Sequence, residues 1–330
     1  MPKTEVLTNS VFAIDSEAAF NKVAVDVFRY QYESNKIYRK YTDYLNRNPQ
    51  HVEHYTEIPF LPIQFFKTHQ VVAGDFVPEA VFTSSGTTGM SYSRHFVKLL
   101  SVYRQSFLTG FRLFFGGVHD FVVLALLPSY LEREGSSLIY MAEKLINLSK
   151  NSESGFYLNE YEALSNLLLK LKQQNKKTIL LGVTYALLDL AEKFPVNFPE
   201  LIVMETGGMK GKRKEMVREE LHGILKSSFG VDKIYSEYGM TELLSQAYSK
   251  GDGLFETPPW MKVMIRDTND PLSFLPHNRT GGVNVIDLAN IHSCSFIETK
   301  DLGKLHPDGK FEILGRFDNS DVRGCNLMVG

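Results

Sequence analysis

The sequence predicts an α/β fold in which helices flank a sheet and a β-rich subdomain closes the chain. Two observations predict it. Apolar strand patterns at residues 120–127, 177–183, 201–204 and 234–236 alternate with helical patterns from about residue 138 and at 185–192 and 213–227, as a helix-flanked sheet requires. Beyond Asp252 the texture changes to glycine, proline and short strand candidates at 262–266, 282–287 and 310–314. The chain therefore divides into residues 1–252, an α/β core with a helical N-terminal segment, and residues 253–330, a β-rich subdomain ending in a short cysteine-bearing tail. At 330 residues and 43% hydrophobic composition, the chain buries a large core and exceeds the usual single-core size.

In chain order, residues 16–46 read as helix, with Phe20, Val23, Val27 and Phe28 on one face and Ser16 placed to cap the start. Tyr30, Tyr32, Tyr38, Tyr41 and Tyr44 thicken this region and read as core packing. Pro59 and Pro62 exclude a continuous helix at 58–63 and favour an extended connection. Val81, Phe82 and Thr83 then run as a strand into Ser84, Ser85, Gly86, Thr87, Thr88 and Gly89. Residues 94–115 have helical spacing in Phe96, Leu99, Leu100, Tyr103, Phe107 and Phe111, which sets this loop between a strand and a helix. The run 120–127 is apolar throughout, suits a strand buried on both faces, and stops at Pro128; a polar turn over 129–137 follows.

Composition excludes several classes of function. With 36 basic and 38 acidic residues the formal charge is −2, which makes no electrostatic case for nucleic acid or an anionic membrane. Residues 1–10 lack the order of a signal peptide, and the longest apolar run, 121–127, is too short to span a bilayer, so a soluble, cytoplasmic protein is expected. Two cysteines, Cys294 and Cys325, form no disulfide framework and fit a reducing compartment. His292 and Cys294 are too few for a zinc site.

The loop 84–89 suits an anion: its glycines let backbone N–H groups approach, and its hydroxyls donate to oxygen. It lacks the lysine that ends a Walker loop, so on these residues alone an anion cradle and a polar surface turn stand level. Gly207 and Gly208 follow a strand, at the sheet edge where open α/β folds bind ligands. Tyr238, Gly239, Thr241 and Glu242 follow another; Tyr238 suits stacking on a base and Glu242 suits Mg²⁺. Asp301 suits ribose hydroxyls, and Arg316 suits ribose or phosphate oxygens. Ser136 and Ser137 lack the Gly-x-Ser-x-Gly setting of a hydrolase nucleophile.

In this order, the Ser/Thr/Gly loop, the Gly-Gly turn, Tyr-Gly-x-Thr-Glu, Thr-x-Asp-x-Gly and Gly-Arg-x-Asp resemble the successive signatures of the ATP-dependent adenylate-forming superfamily. Within it the chain most resembles the acyl-protein synthetases, the fatty-acid-activating component of bacterial bioluminescence reductase complexes, and their relatives. Ile58 and Pro59 through Phe66 and Lys67, the loop 84–89, residues 127–133 with Gly135, Ser136 and Ser137, Gly207 and Gly208, residues 238–242, and the tail Arg323, Gly324 and Cys325 carry the likeness, from about Pro59 onward.

The resemblance implies activation of a fatty or related carboxylic acid by ATP and Mg²⁺ to an acyl-adenylate, then transfer to a cysteine thiol for delivery to a partner reductase or carrier. Ser84, Ser85, Gly86, Thr87, Thr88 and Gly89 with Gly207 and Gly208 would hold the nucleotide phosphates. Tyr238, with Gly239 and Thr241, would face adenine, Glu242 would bind the metal, and Asp301 with Arg316 would fix the ribose. Tyr130 and Ser136 would line the acid pocket. Cys325 matches the acyl-accepting cysteine, with Arg323 placed to lower its pKa; Cys294 reads instead as a small core residue. The chain ends at Gly330, soon after Asp318, so the superfamily's usual mobile C-terminal domain and its catalytic lysine are not expected; Lys210 or Lys212 is then a candidate for the missing charge. Two other readings are a CoA ligase lacking its C-terminal domain and a non-catalytic nucleotide-binding subunit.

Overall fold

The computed structural model describes residues 4–84, 92–128, 135–209, 213–214 and 216–316. The fold is α/β and comprises two compact units. One takes the described residues of Met1–Ser106, Glu242–Ser245 and Glu256–Gly330, the other those of Phe107–Thr241 and Gln246–Phe255. Among the described residues no helix is long and apolar enough to cross a membrane.

The second unit is built on five parallel strands. Val122–Leu126 lies between Gly155–Tyr157 and Thr178–Val183, followed outward by Ile202–Thr206 and Tyr235–Tyr238, and the antiparallel Ala247–Ser249 is added beyond. Every residue of Val122–Leu126 and Thr178–Val183 is buried, which is why both read as unbroken apolar runs. The helices Ser137–Ser149, Tyr161–Gln173, Thr184–Lys193 and Arg218–Phe229 connect the strands and pack Leu145, Leu164, Leu168, Leu187, Leu190, Leu221 and Leu225 into the interior. The last helix begins at Arg218 rather than at 213, with Val217 as its extended N-cap, and Arg213 is instead ion-paired with Asp189 and Glu192. Strand order reverses between Val122–Leu126 and Thr178–Val183, so a topological switch point lies beyond their carboxyl ends, where open α/β sheets take their ligands.

The first unit carries an antiparallel sheet of Met261–Arg266, Thr280–Asp287, Phe296–Leu305 and Phe311–Arg316, with Leu61–Pro62 paired in parallel to Phe296–Leu305. Arg266 is only 2% exposed and donates to Val283 O (2.9 Å), Asn284 Oδ1 (2.9 Å) and Thr299 O (2.7 Å), which holds the bulge between Gly282 and Asn284. Gly282 leaves the room for it: a Cβ there would stand 2.4 Å from the guanidinium carbon.

Two elements differ from expectation. The helix expected over 16–46 starts where Ser16 caps it but divides into Glu17–Ser34 and Lys36–Tyr44. Buried Asn35 is the cause: its Oδ1 accepts from Ile37 N (3.1 Å) and Tyr38 N (3.0 Å), and its Nδ2 donates to Ser293 O (2.9 Å). The second helix thereby turns Tyr38 into the core, where its ring stacks on Phe296 at 6.1 Å and its hydroxyl donates to Pro59 O at 2.6 Å. Asn35→Ala is expected to cost about 2–4 kcal/mol, a lost cap plus an orphaned buried carbonyl. A fall in the urea midpoint at unchanged slope checks it; a loss below about 1 kcal/mol would place the hold elsewhere.

The other difference lies at 94–115. The helix is Leu100–Phe115, and Arg94–Val97 is instead a strand paired antiparallel to Ala80–Thr83. His95 and Val97 are buried on one face of that hairpin, a period of two hidden within a stretch that also satisfies helical spacing. Residues 85–91, which lie outside the described residues, therefore fall between two strands and not before a helix N-terminus.

Candidate active site

In the second unit, two adjacent strands end together. Thr206 is in register with Glu237, so Gly207 and Gly208 leave one strand beside Tyr238 and Gly239 leaving the next. Gly207 and Gly208 have φ of 75° and 64°, left-handed backbone that other residues seldom adopt. Tyr238 is 8% exposed, its ring packed edge-on to Phe255 at 6.0 Å.

Two carboxyls underlie this edge, Glu237 buried and Glu205 partly buried. Thr206 Oγ1 donates to Glu237 Oε2 at 2.5 Å, and Ser236 Oγ and Thr184 Oγ1 donate to Glu205 at 2.7 and 3.1 Å. Burial, aided by the charge of Glu205, pushes the Glu237 carboxyl up to about 7 despite the Thr206 bond. Burial also acts on Glu205, but His222 and the Ser236 hydroxyl outweigh it and hold that group below the usual carboxylate range. A Cβ on Gly239 would meet Glu237 Oε1 at 2.4 Å, so glycine there accommodates the acid.

In the first unit, the residues gather around Glu242. Ser84, the first residue of the expected phosphate loop, is tied to Ser93 across the hairpin: Ser93 N donates to Ser84 Oγ (3.0 Å) and Ser84 N to Ser93 O (3.1 Å). Ser93 in turn donates its hydroxyl to the Glu242 carboxylate. Glu242 is 5% exposed; burial raises its pKa, opposed by Ser93, its own amide and the charges of Arg316 and Lys67.

The main chain at Glu242 is clamped from Asp287 and Asn290. Asn290 Nδ2 donates to Glu242 O at 2.7 Å, while Asp287 accepts from Leu244 N (2.7 Å), Ser245 N (2.9 Å) and Ser245 Oγ (2.6 Å). With its amide thus oriented, Asn290 presents Oδ1 to His95 Nε2 at 2.8 Å, which assigns the proton to that nitrogen. No sequence motif marks Ser93, His95, Asp287 or Asn290; the one local signal is the asparagine three positions after a strand-ending aspartate.

Asp301 and Arg316 face one another in antiparallel register, with Arg316 Nε donating to Asp301 Oδ1 at 3.0 Å. The Asp301 side chain is 7% exposed and that of Arg316 77% exposed, so the acid is fixed and the cation reaches solvent. Ser136 caps Ser137–Ser149 by accepting from Ile139 N at 3.3 Å, which leaves its O–H as a donor. Cys294 is fully buried and its thiol is pushed up to about 12 by burial, as an inert core residue requires. Ser85, Gly86, Thr87, Thr88, Gly89, Tyr130, Lys210, Lys212 and Cys325 lie outside the described residues, whereas Thr241 is half-buried in the turn before Glu242.

Comparison with known proteins gives a family and a fold. The family model described as acyl-protein synthetase, LuxE, matches residues 10–330. No curated protein sequence matches the chain. Among solved structures, ATP-bound MatB from Rhodopseudomonas palustris is similar at 18% identity and a TM-score of 0.54, over 72% of this chain and 48% of that one. An open conformation of 2-hydroxyisobutyryl-CoA ligase in complex with 2-HIB-AMP and CoA is similar at 13% identity and 0.64, over 93% and 72%. The luciferase-like enzyme from the nonluminescent mealworm Zophobas morio is similar at 14% and 0.50, over 75% and 60%. At such identities the likeness is one of fold, and the chain spans about half the length of the MatB structures it matches.

Proposed function

The chain belongs to the acyl-protein synthetase family, and from that premise we propose that it activates a fatty or related carboxylic acid with ATP and takes the acyl group onto Cys325. The thioester would then pass to a partner reductase or carrier. The observation that carries this reading is the setting of Glu242: a buried carboxylate tied through Ser93 to the stem of the Ser/Thr/Gly loop, in the same unit as the Asp301–Arg316 pair.

Magnesium fits that carboxylate by donor chemistry. Mg²⁺ is held by hard oxygens, commonly one or two carboxylates with substrate phosphates completing the shell, and Glu242 is a buried carboxylate whose charged form gains from a cation. When bound, the ion supplies charge neutralisation at the phosphates. Thr87, Thr88 and the loop amides cradle the transferring phosphates, Gly207 and Gly208 admit close backbone approach, and Tyr238 faces adenine with Gly239 and Thr241. Asp301 accepts from the ribose hydroxyls, oriented by Arg316.

The acid, seated by Tyr130 and Ser136, attacks the α-phosphorus through a carboxylate oxygen, and pyrophosphate departs with the bonding pair. Cys325, its thiol proton lost to solvent, then attacks the acyl carbon, and AMP departs with the pair of the cleaved C–O bond. Positioning and electrostatics do most of the work in such phosphoryl chemistry.

Incubation with ATP, Mg²⁺ and labelled fatty acids of graded length tests the proposal. Pyrophosphate release together with hydroxylamine-labile label on the protein is expected; no pyrophosphate with any acid would sink it, and acyl-CoA formed on adding CoA, without protein label, would replace it by a CoA ligase. Glu242→Gln is expected to lower pyrophosphate release about 10- to 100-fold, most at limiting Mg²⁺. An unchanged Mg²⁺ dependence would remove Glu242 from the metal.

A further inference from the structure

The segment after the proline-rich connection is led toward the same centre twice. Leu61 and Pro62 run in parallel register with Ile297 and Glu298, and Ile63 N donates to Glu298 O at 2.9 Å, which carries the chain along the strand bearing Thr299 and Asp301. The short helix Phe65–Thr68 follows, and its fully buried Phe66 packs edge-on to His95 at 5.9 Å. That contact seats the helix on the strand Arg94–Val97, whose entry residue, Ser93, is bonded to Glu242.

Lys67 comes next. It is exposed, and its helix is linked to Glu242 through His95, which bonds Asn290 Oδ1 at 2.8 Å while Asn290 Nδ2 donates to Glu242 O at 2.7 Å. Arg316 is engaged by Asp301, whereas among the described residues no carboxylate forms an ion pair with Lys67. An ammonium with three donors on a flexible stem, anchored by a buried neighbour and unpaired with any carboxylate among the described residues, is suited to meet oxygens that arrive with a substrate.

We infer that Lys67 is a catalytic residue of the acid-activating step, its ammonium contacting phosphate oxygens of the nucleotide held at Glu242. The inference rests on the function proposed above. As the carboxylate oxygen bonds to the α-phosphorus and the bond to pyrophosphate breaks, negative charge accumulates on the departing oxygens. Lys67 stays protonated throughout, transfers no proton, and offsets that charge.

The test is pyrophosphate release by the full chain carrying Lys67→Met or Lys67→Arg. Methionine keeps the apolar stem at an exposed position, so the thermal midpoint should match the wild type. For Lys67→Met, kcat is expected to fall about 10- to 100-fold with KM for the acid unchanged, and Lys67→Arg should recover most of the loss. Lys67→Met with kcat and KM for ATP within about twofold of wild type overturns the inference while leaving the proposed function intact. Equal defects in both variants with a lowered thermal midpoint also overturn it, since packing and not charge would then be at stake. A wild-type chain that releases no pyrophosphate with any acid overturns the proposed function, and this inference with it.

Discussion

Cys325→Ser is expected to abolish hydroxylamine-labile acyl label while pyrophosphate release continues, and Cys294→Ser is expected to keep the label. The chain has only these two thiols, and the nucleophile is the thiolate. Cys294 is excluded on physical grounds: its thiol, pushed up to about 12, would be ionised in only about one molecule in 10⁵ at pH 7. It is fully buried, and its Sγ–H points to Phe296 O at 3.4 Å. The serine replacement there costs stability, because a hydroxyl enters an apolar site, but it removes no nucleophile. For Cys325 the serine hydroxyl is far less ionised than a thiol, so the adenylate would persist or hydrolyse and the protein would stay unlabelled. Label retained in Cys325→Ser and lost in Cys294→Ser would reverse the assignment.

Much of the sheet is legible in the sequence, because fully buried strands announce themselves. The apolar runs 120–127 and 177–183 match Val122–Leu126 and Thr178–Val183 within two residues, and Pro128 marks the end of the first. The longest strand, Phe296–Leu305, does not announce itself. It carries Glu298, Lys300, Asp301 and Lys304, and the polar groups are accommodated by partners distant in sequence, such as Arg266 reaching Thr299 O across 33 positions. The break at Asn35 has the same origin, since its side chain is held by Ser293, 258 positions away.

The candidate site divides in the same way. Motif residues such as Gly208, Glu242 and Asp301 are visible because their types and order carry chemistry. Their supports are not, because Asn290 grips the Glu242 carbonyl 48 positions upstream and His95 grips Asn290 from 195 positions away. Arg94–Val97 shows why spacing misled: Phe96, Leu99, Leu100 and Tyr103 fit a helix, and only pairing with Ala80–Thr83 decides for a strand.

Glu237→Gln is expected to stabilise the protein at pH 8 and to change little at pH 4. Glu237 is 8% exposed, and its carboxyl is raised from 4.5 to about 7 by burial and by the neighbouring charge of Glu205. The folded state therefore binds a proton more tightly than the unfolded chain. Below the unfolded pKa both states are protonated and nothing is lost; as pH rises from about 4.5 to 7 the unfolded state ionises first, and stability falls. Above the folded pKa the penalty is complete, about 3 kcal/mol for a shift of this size. Glutamine keeps the shape and can still accept from Thr206 Oγ1, the bond of 2.5 Å in the native chain, but has no charge to bury. Subtracting the two proteins' urea stabilities at each pH cancels the titration of groups common to both that do not act on Glu237, such as Asp287 and Glu298. The difference should rise from near zero at pH 4 toward about 3 kcal/mol at pH 8, with most of the change below neutrality. A flat difference across that range would show that Glu237 is ionised in the folded protein and paid for by its neighbours. In that case Gly239 would lie against a carboxylate, and the strand end bearing Tyr238 would be negatively charged.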